Sequence, residues 1–137
     1  METKEEKRTV KDSITNEHRE VLINIIDDLC KSDDSVFFRE PIDLAKTRAY
    51  DYFRVVAYAM DLGTIKKNLI DPARKYYYVR YIDFIRDGDL VWKNCVAYNR
   101  KGSPAARMGL RMQQLWEAKL RDFLGEEELI ADVEESQ

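Results

Sequence analysis

Apolar residues recur every three to four positions in four separate stretches of this chain, a spacing that gathers each set on one helical face and that a strand cannot use. The first stretch puts Val21, Leu22, Ile25, Ile26 and Leu29 together, behind polar residues at 12 to 15 that can cap it. The second is short, with Asp61 as its N-cap, Leu62, Ile65 and Leu69 as its stripe, Lys66 and Lys67 facing water, and Asp71-Pro72 as its stop. A third, from about 79 to 98, aligns Tyr81, Phe84, Ile85, Trp92, Cys95 and Asn99, and the glycine on that stripe, Gly88, predicts close packing of a neighbour. Ser103-Pro104, an N-cap followed by proline, opens the fourth, which buries Met108, Met112, Leu115, Trp116, Leu120 and Phe123 before Gly125 ends it. With only 5 Gly and 3 Pro, the chain lacks the turn residues of a many-stranded protein, so the expected class is all-α.

The 137 residues suit one domain, and 45% apolar with 36% charged residues describes a core inside a charged, soluble surface. No apolar run approaches the roughly 20 residues of a membrane span, and the charged first residues lack the apolar centre of a signal peptide, so no membrane and an intracellular setting are expected. Cys30 and Cys95 lie far apart without a second pair, which predicts buried thiols and neither a metal site nor redox work. His18 is alone of its kind and reads as a solvated surface residue, and no glycine-rich phosphate loop is present. No cofactor is expected, and an enzyme is the weakest functional class.

Residues 33 to 60 have no helical period yet contain Val36, Phe37, Phe38, Ile42, Tyr50, Tyr52, Phe53, Val55, Val56 and Tyr58. A connection this long and aromatic should fold back on the helices and build a pocket. Four blocks within and beyond it resemble the bromodomain family: Phe38-Arg39-Glu40-Pro41-Ile42-Asp43, Tyr52-Phe53-Arg54-Val55-Val56, Met60-Asp61-Leu62-Gly63-Thr64-Ile65-Lys66-Lys67-Asn68-Leu69 and Asn94-Cys95-Val96-Ala97-Tyr98-Asn99. The resemblance covers about residues 13 to 124, leaving a charged extension at 1 to 12 and an acidic tail at 125 to 137, expected to be disordered.

That resemblance implies a left-handed four-helix bundle with a long loop between the first two helices, framing a pocket for acetylated lysine. Asn99 would donate its amide N–H to the acetyl carbonyl, and Tyr52 would reach the same oxygen through a water. Phe38 and Ile42 would enclose the methyl, Cys95 and Met60 would lie deeper, Thr47 and Ala49 would form the loop wall, Tyr98 would stand beside Asn99, and Ala105 would hold the gatekeeper place. Val36-Phe37-Phe38 stands where the family usually has Trp-Pro-Phe, predicting a flatter shelf. Ala49, Ala59 and Ala105 replace a leucine, a proline and a larger gatekeeper, predicting a wide entrance. Each choice also has a plain alternative: Asn99 as a helix cap in the left-handed conformation, and Tyr52, Phe38 and Ile42 as core.

The partner implied is an acetylated lysine peptide, from a histone tail or another chromatin-associated protein, read by a monomer in the nucleus. A scaffold that keeps the fold but has lost acetyl-lysine affinity is the second reading, and a DNA contact through basic residues a third. The charge pattern bears on all of them. The net −3 hides six acids and no base at 126 to 137, which leaves the first 125 residues at +3. Around the expected mouth stand Arg39, Lys46, Arg48, Arg54, Arg100, Lys101 and Arg107 against Glu40, Asp43 and Asp51. A basic histone tail would be opposed by that excess, which favours an acidic, multiply acetylated or DNA-held ligand, and the acidic tail is expected to screen the rim when it is empty.

Overall fold

A computed structural model describes residues 10 to 125; the acidic run at 126 to 137 lies outside the described residues. Four helices carry the bundle: α1 (Asn16–Cys30), α4 (Leu62–Ile70), α5 (Tyr81–Tyr98) and α6 (Pro104–Leu124). Between α1 and α4 run a 3-10 helix (Asp33–Phe38) and two one-turn helices, α2 (Leu44–Thr47) and α3 (Tyr52–Val55). Contacts run α1 to α4, α4 to α5, α5 to α6 and α6 back to α1, so the bundle closes on itself. No strand forms among the described residues beyond an isolated antiparallel bridge between Ser13 and Arg80.

Three of the four bundle helices open on a capping side chain. Thr15 accepts the His18 amide at 3.0 Å to open α1, Asp61 accepts Thr64 N at 2.9 Å to open α4, and Ser103 accepts Ala106 N at 3.2 Å to open α6. Gly125 closes α6 at φ 64°, a left-handed position that glycine takes without steric cost. The expected stripes form the core, with Leu22, Ile26, Leu29, Leu62, Ile65, Leu69, Phe84 and Trp116 fully buried. Gly88 meets its predicted neighbour, because a Cβ there would stand 2.2 Å from Trp116 Cζ2.

Several expectations need correction. Val21 lies off the buried stripe and is 41% exposed, being a step of about 100° around the helix from Leu22. His18 is not a solvated residue: its Nδ1 lies 2.6 Å from the Tyr81 hydroxyl and its ring meets Phe123 edge-on at 4.9 Å. Cys30 is only half-buried, whereas Lys66 stays at the surface as expected and pairs there with Asp27 at 2.7 Å. The third helix begins at Tyr81 because Val79 is spent in accepting Ile14 N at 2.7 Å. The same pairing brings Val10 into the core, so folded chain reaches past residue 13. The segment at 33 to 60 does contain helical turns, capped by Ser32 and Asp43, but each is too short to show a period.

Two ties pin that segment to the bundle. Asp34 holds Arg111 of α6 in a two-pronged pair, 2.9 Å on each side. The Arg39 carbonyl accepts Gly63 N at 3.0 Å, and a Cβ at 63 would stand 2.5 Å from that oxygen, so close approach requires glycine there.

Candidate functional site

Asn99 closes α5 in an extended conformation, φ −87° and ψ 142°, so it is not the left-handed cap that the plain reading required. Its backbone N–H donates to Cys95 O at 3.0 Å and its side-chain Nδ2 donates to the same carbonyl at 3.1 Å. A carbonyl can only accept, so this contact fixes which end of the amide is nitrogen. Nδ2 also reaches Cys95 Sγ at 3.5 Å, a weak acceptor, and the Oδ1 oxygen has no partner among the described residues. The side chain is half-buried at the α5–α6 corner.

Tyr52, at the start of α3, packs its ring edge-on against Tyr98 at 4.9 Å, and Tyr98 donates its hydroxyl to Asp51 Oδ1 at 2.7 Å. These contacts bind loop to helix one residue from Asn99. Burial, with the Cys95 thiol as a second cause, pushes the Tyr52 hydroxyl above its ordinary pKa, so it stays a neutral hydrogen-bonding group. The hydrogen bond from Tyr98 to Asp51 raises the Tyr98 pKa as well. Asn94 fastens the loop from below, donating to Tyr58 O at 2.8 Å.

The floor is built around Cys95, 5% exposed, whose thiol donates to Ala105 O at 3.5 Å and receives Asn99 Nδ2 at 3.5 Å. Burial raises its pKa, with the Asn99 amide opposing, so the group is a thiol and not a nucleophilic thiolate. Gly109 of α6 admits this arrangement: a Cβ there would lie 2.4 Å from Cys95 Sγ and 3.5 Å from Phe38 Cζ. Phe38, 8% exposed, stacks edge-on against Trp92 at 5.3 Å. Trp92 Nε1 is the one buried side-chain nitrogen or oxygen that lacks a partner among the described residues.

Cys95, Asn99 and Ala105 are therefore joined by hydrogen bonds and Tyr52 with Tyr98 by ring contact, while Phe38 and Cys95 both lie close to Gly109. Met60 packs against the core, and Ile42 is half-buried on the loop. Thr47 uses its hydroxyl internally, donating to Asp43 O at 2.9 Å and accepting Ala49 N at 3.3 Å, while Ala49 itself is buried. Val36 and Phe37 are 51% and 61% exposed, so Phe37 projects where a flat shelf was expected. Gly109 and the acceptor role of Asp51 are absent from the residues that the sequence singles out for the site. Gly109 had the same signal as Gly88, a glycine inside an apolar helical stripe.

The bromodomain family model matches residues 22–111. The chain is 35% identical over 99 residues to the SWR1 complex bromodomain subunit bdf1 of Schizosaccharomyces pombe, covering 72% of this chain and 16% of that protein. It is 39% identical over 85 residues to bromodomain-containing factor 1 of Saccharomyces cerevisiae, covering 62% of this chain and 12% of that one. The chain thus spans less than a fifth of the length of these relatives. Among solved structures, the second bromodomain of Candida albicans Bdf1, bound to an imidazopyridine, superposes with a TM-score of 0.68 at 28% identity, over 77% of this chain and 98% of that one.

Proposed function

The chain belongs to the bromodomain family, a left-handed four-helix bundle, and we propose that its pocket binds acetylated lysine in a histone tail or another chromatin-associated protein. The observation that carries this reading is Asn99: a half-buried amide, oriented by the Cys95 carbonyl, whose second N–H meets only the Cys95 thiol at 3.5 Å, a weak acceptor that an acetyl carbonyl can replace. A neutral acetyl carbonyl needs such a donor, whereas the ammonium of unmodified lysine would lose its water and face an N–H of like polarity. Tyr52 would take the same oxygen through a water, and Phe38 and Ile42 would enclose the methyl above Cys95 and Met60. Thr47 and Ala49 would line the loop side, Tyr98 would back Asn99, and Ala105 with Val36 and Phe37 would frame the entrance. A pocket holding an un-ionised thiol beside a neutral phenol supports recognition, not catalysis. A nuclear setting and single-copy action go with this reading.

One hydrogen bond is worth only about 0.5–1.5 kcal/mol net, so discrimination should be strong and affinity modest. Titrating the protein with matched acetylated and unmodified peptides tests the proposal. Saturable binding of the acetylated peptide alone is expected, with Asn99→Ala weakening it roughly tenfold or more, because the buried ligand carbonyl is left unpaired. Wild-type protein that shows no saturable binding would refute it and leave the scaffold reading.

A further inference from the structure

Of the seven cations expected at the mouth, two are turned to internal work. Arg39 donates to Ser35 Oγ at 2.8 Å and to Ser32 O at 3.0 Å, and Arg107 donates to Gly102 O at 2.8 Å. Lys46, Arg48, Arg54, Arg100 and Lys101 are exposed and have no ion pair among the described residues. Arg100 and Lys101 follow Asn99 directly, Arg54 lies on α3 two residues after Tyr52, and Arg48 precedes Asp51 by three. The nearby acids are partly occupied, since Asp43 caps α2 by accepting Lys46 N at 3.0 Å and Asp51 receives Tyr98.

Arg48 is the second observation. It is the one described residue other than glycine at positive φ, 61°, a conformation that costs a β-carbon-bearing side chain free energy. The loop holds it there from both sides: Thr47 N and Thr47 Oγ1 both donate to Asp43 O, at 3.0 and 2.9 Å, and Ala49 is buried and donates to Thr47 Oγ1. Glycine or asparagine would take this position more readily, yet it carries a cation displayed to solvent.

We propose that Arg48, Arg54, Arg100 and Lys101, with Lys46, form a collar that selects acetylated lysine flanked by aspartate or glutamate on the ligand, an inference that rests on the acetyl-lysine reading above. Carboxylates on either side of the modified lysine would meet unpaired cations, while a lysine-rich ligand would be repelled.

The test uses three peptides with one central acetyl-lysine and glutamate, serine or lysine flanks, titrated at low and high salt. The glutamate peptide is expected to bind about tenfold tighter than the lysine peptide at low salt, with the ratio shrinking at high salt. Arg48→Asn, which keeps a residue tolerant of positive φ, should narrow that ratio about threefold without lowering the unfolding temperature. Binding of the serine peptide with no advantage for glutamate overturns this inference alone. Failure of all three to bind overturns the acetyl-lysine reading and this inference with it. A short DNA duplex that binds Asn99→Ala as tightly as wild type, and displaces the glutamate peptide, also overturns it by assigning the collar to phosphates.

Discussion

Replacing Gly109 with alanine would place a methyl 2.4 Å from Cys95 Sγ and 3.3 Å from Cys95 Cβ, where ordinary contacts begin near about 3.5 Å. The thiol would have to retreat by about 1 Å, and it is already engaged with Ala105 O and Asn99 Nδ2. Overpacking of this kind costs about 1–3 kcal/mol, while exchanging a helical glycine for alanine returns about 0.5–1 kcal/mol. The net destabilisation is therefore about 0–2.5 kcal/mol, and the effect on the site is read separately from it. Displacing Asn99 endangers a hydrogen bond worth about 0.5–1.5 kcal/mol and a methyl slot worth about 0.8 kcal/mol, together roughly a 10- to 40-fold loss of affinity. Calorimetric titration with an acetylated peptide, beside urea unfolding, measures both. A cycle with Cys95→Ala completes the argument: once Sγ is gone, the Gly109→Ala change should be neutral or stabilising. Unchanged affinity in Gly109→Ala, or an equal penalty with and without the thiol, would refute the assigned contact.

The two buried tryptophans differ in one atom's environment. Trp116 Nε1 donates to Asp89 Oδ1 at 2.9 Å, whereas Trp92 Nε1 has no partner among the described residues, so Trp116→Phe should cost about 1–3 kcal/mol more than Trp92→Phe in urea unfolding. Equal losses would contradict this. Asp89 has its pKa raised above the ordinary 3.8, first by burial, so its folded form holds a proton more tightly than its unfolded form and stability falls as pH rises from about 3.8 through the raised value. Asp89→Asn keeps an acceptor for Trp116 and should gain on wild type in thermal midpoint between pH 3.5 and 7; a constant difference across that range would count against it.

What the sequence made legible was whatever repeats or sits in a block. The stripes of α4 and α5 and the caps at Asp61 and Ser103 appear as expected because period and cap are local properties. Asn99 and Tyr52 could be nominated through the family's motif spacing, but their joining through Tyr98 and Asp51 could not, since a hydrogen bond across 47 positions leaves no local mark. His18 failed for the same reason: charged neighbours predicted exposure, while its partner Tyr81 lies 63 residues away. The one-turn helices failed through length, because four residues complete barely one turn and cannot establish a period.

Distance along α6 decides how strongly charges beyond its C-terminus act at the mouth. The sequence expectation was that the acidic tail screens the basic mouth. Yet α6 starts at Pro104, beside the Asn99 corner, and runs 21 residues to Leu124, which at 1.5 Å per residue carries the chain about 30 Å away before the first tail glutamate. That is about three Debye lengths at 0.1 M salt, so charges held at the far end of α6 contribute little potential at the collar. On the proposed reading, and with the tail kept at that end, a ligand approaching Asn99 would meet Arg48, Arg54, Arg100 and Lys101 against Glu40, Asp43 and Asp51 rather than the net −3 of the whole chain. Deleting residues 126 to 137 should leave the glutamate-over-lysine preference intact; its doubling or disappearance would show that the tail folds back along the bundle to the mouth.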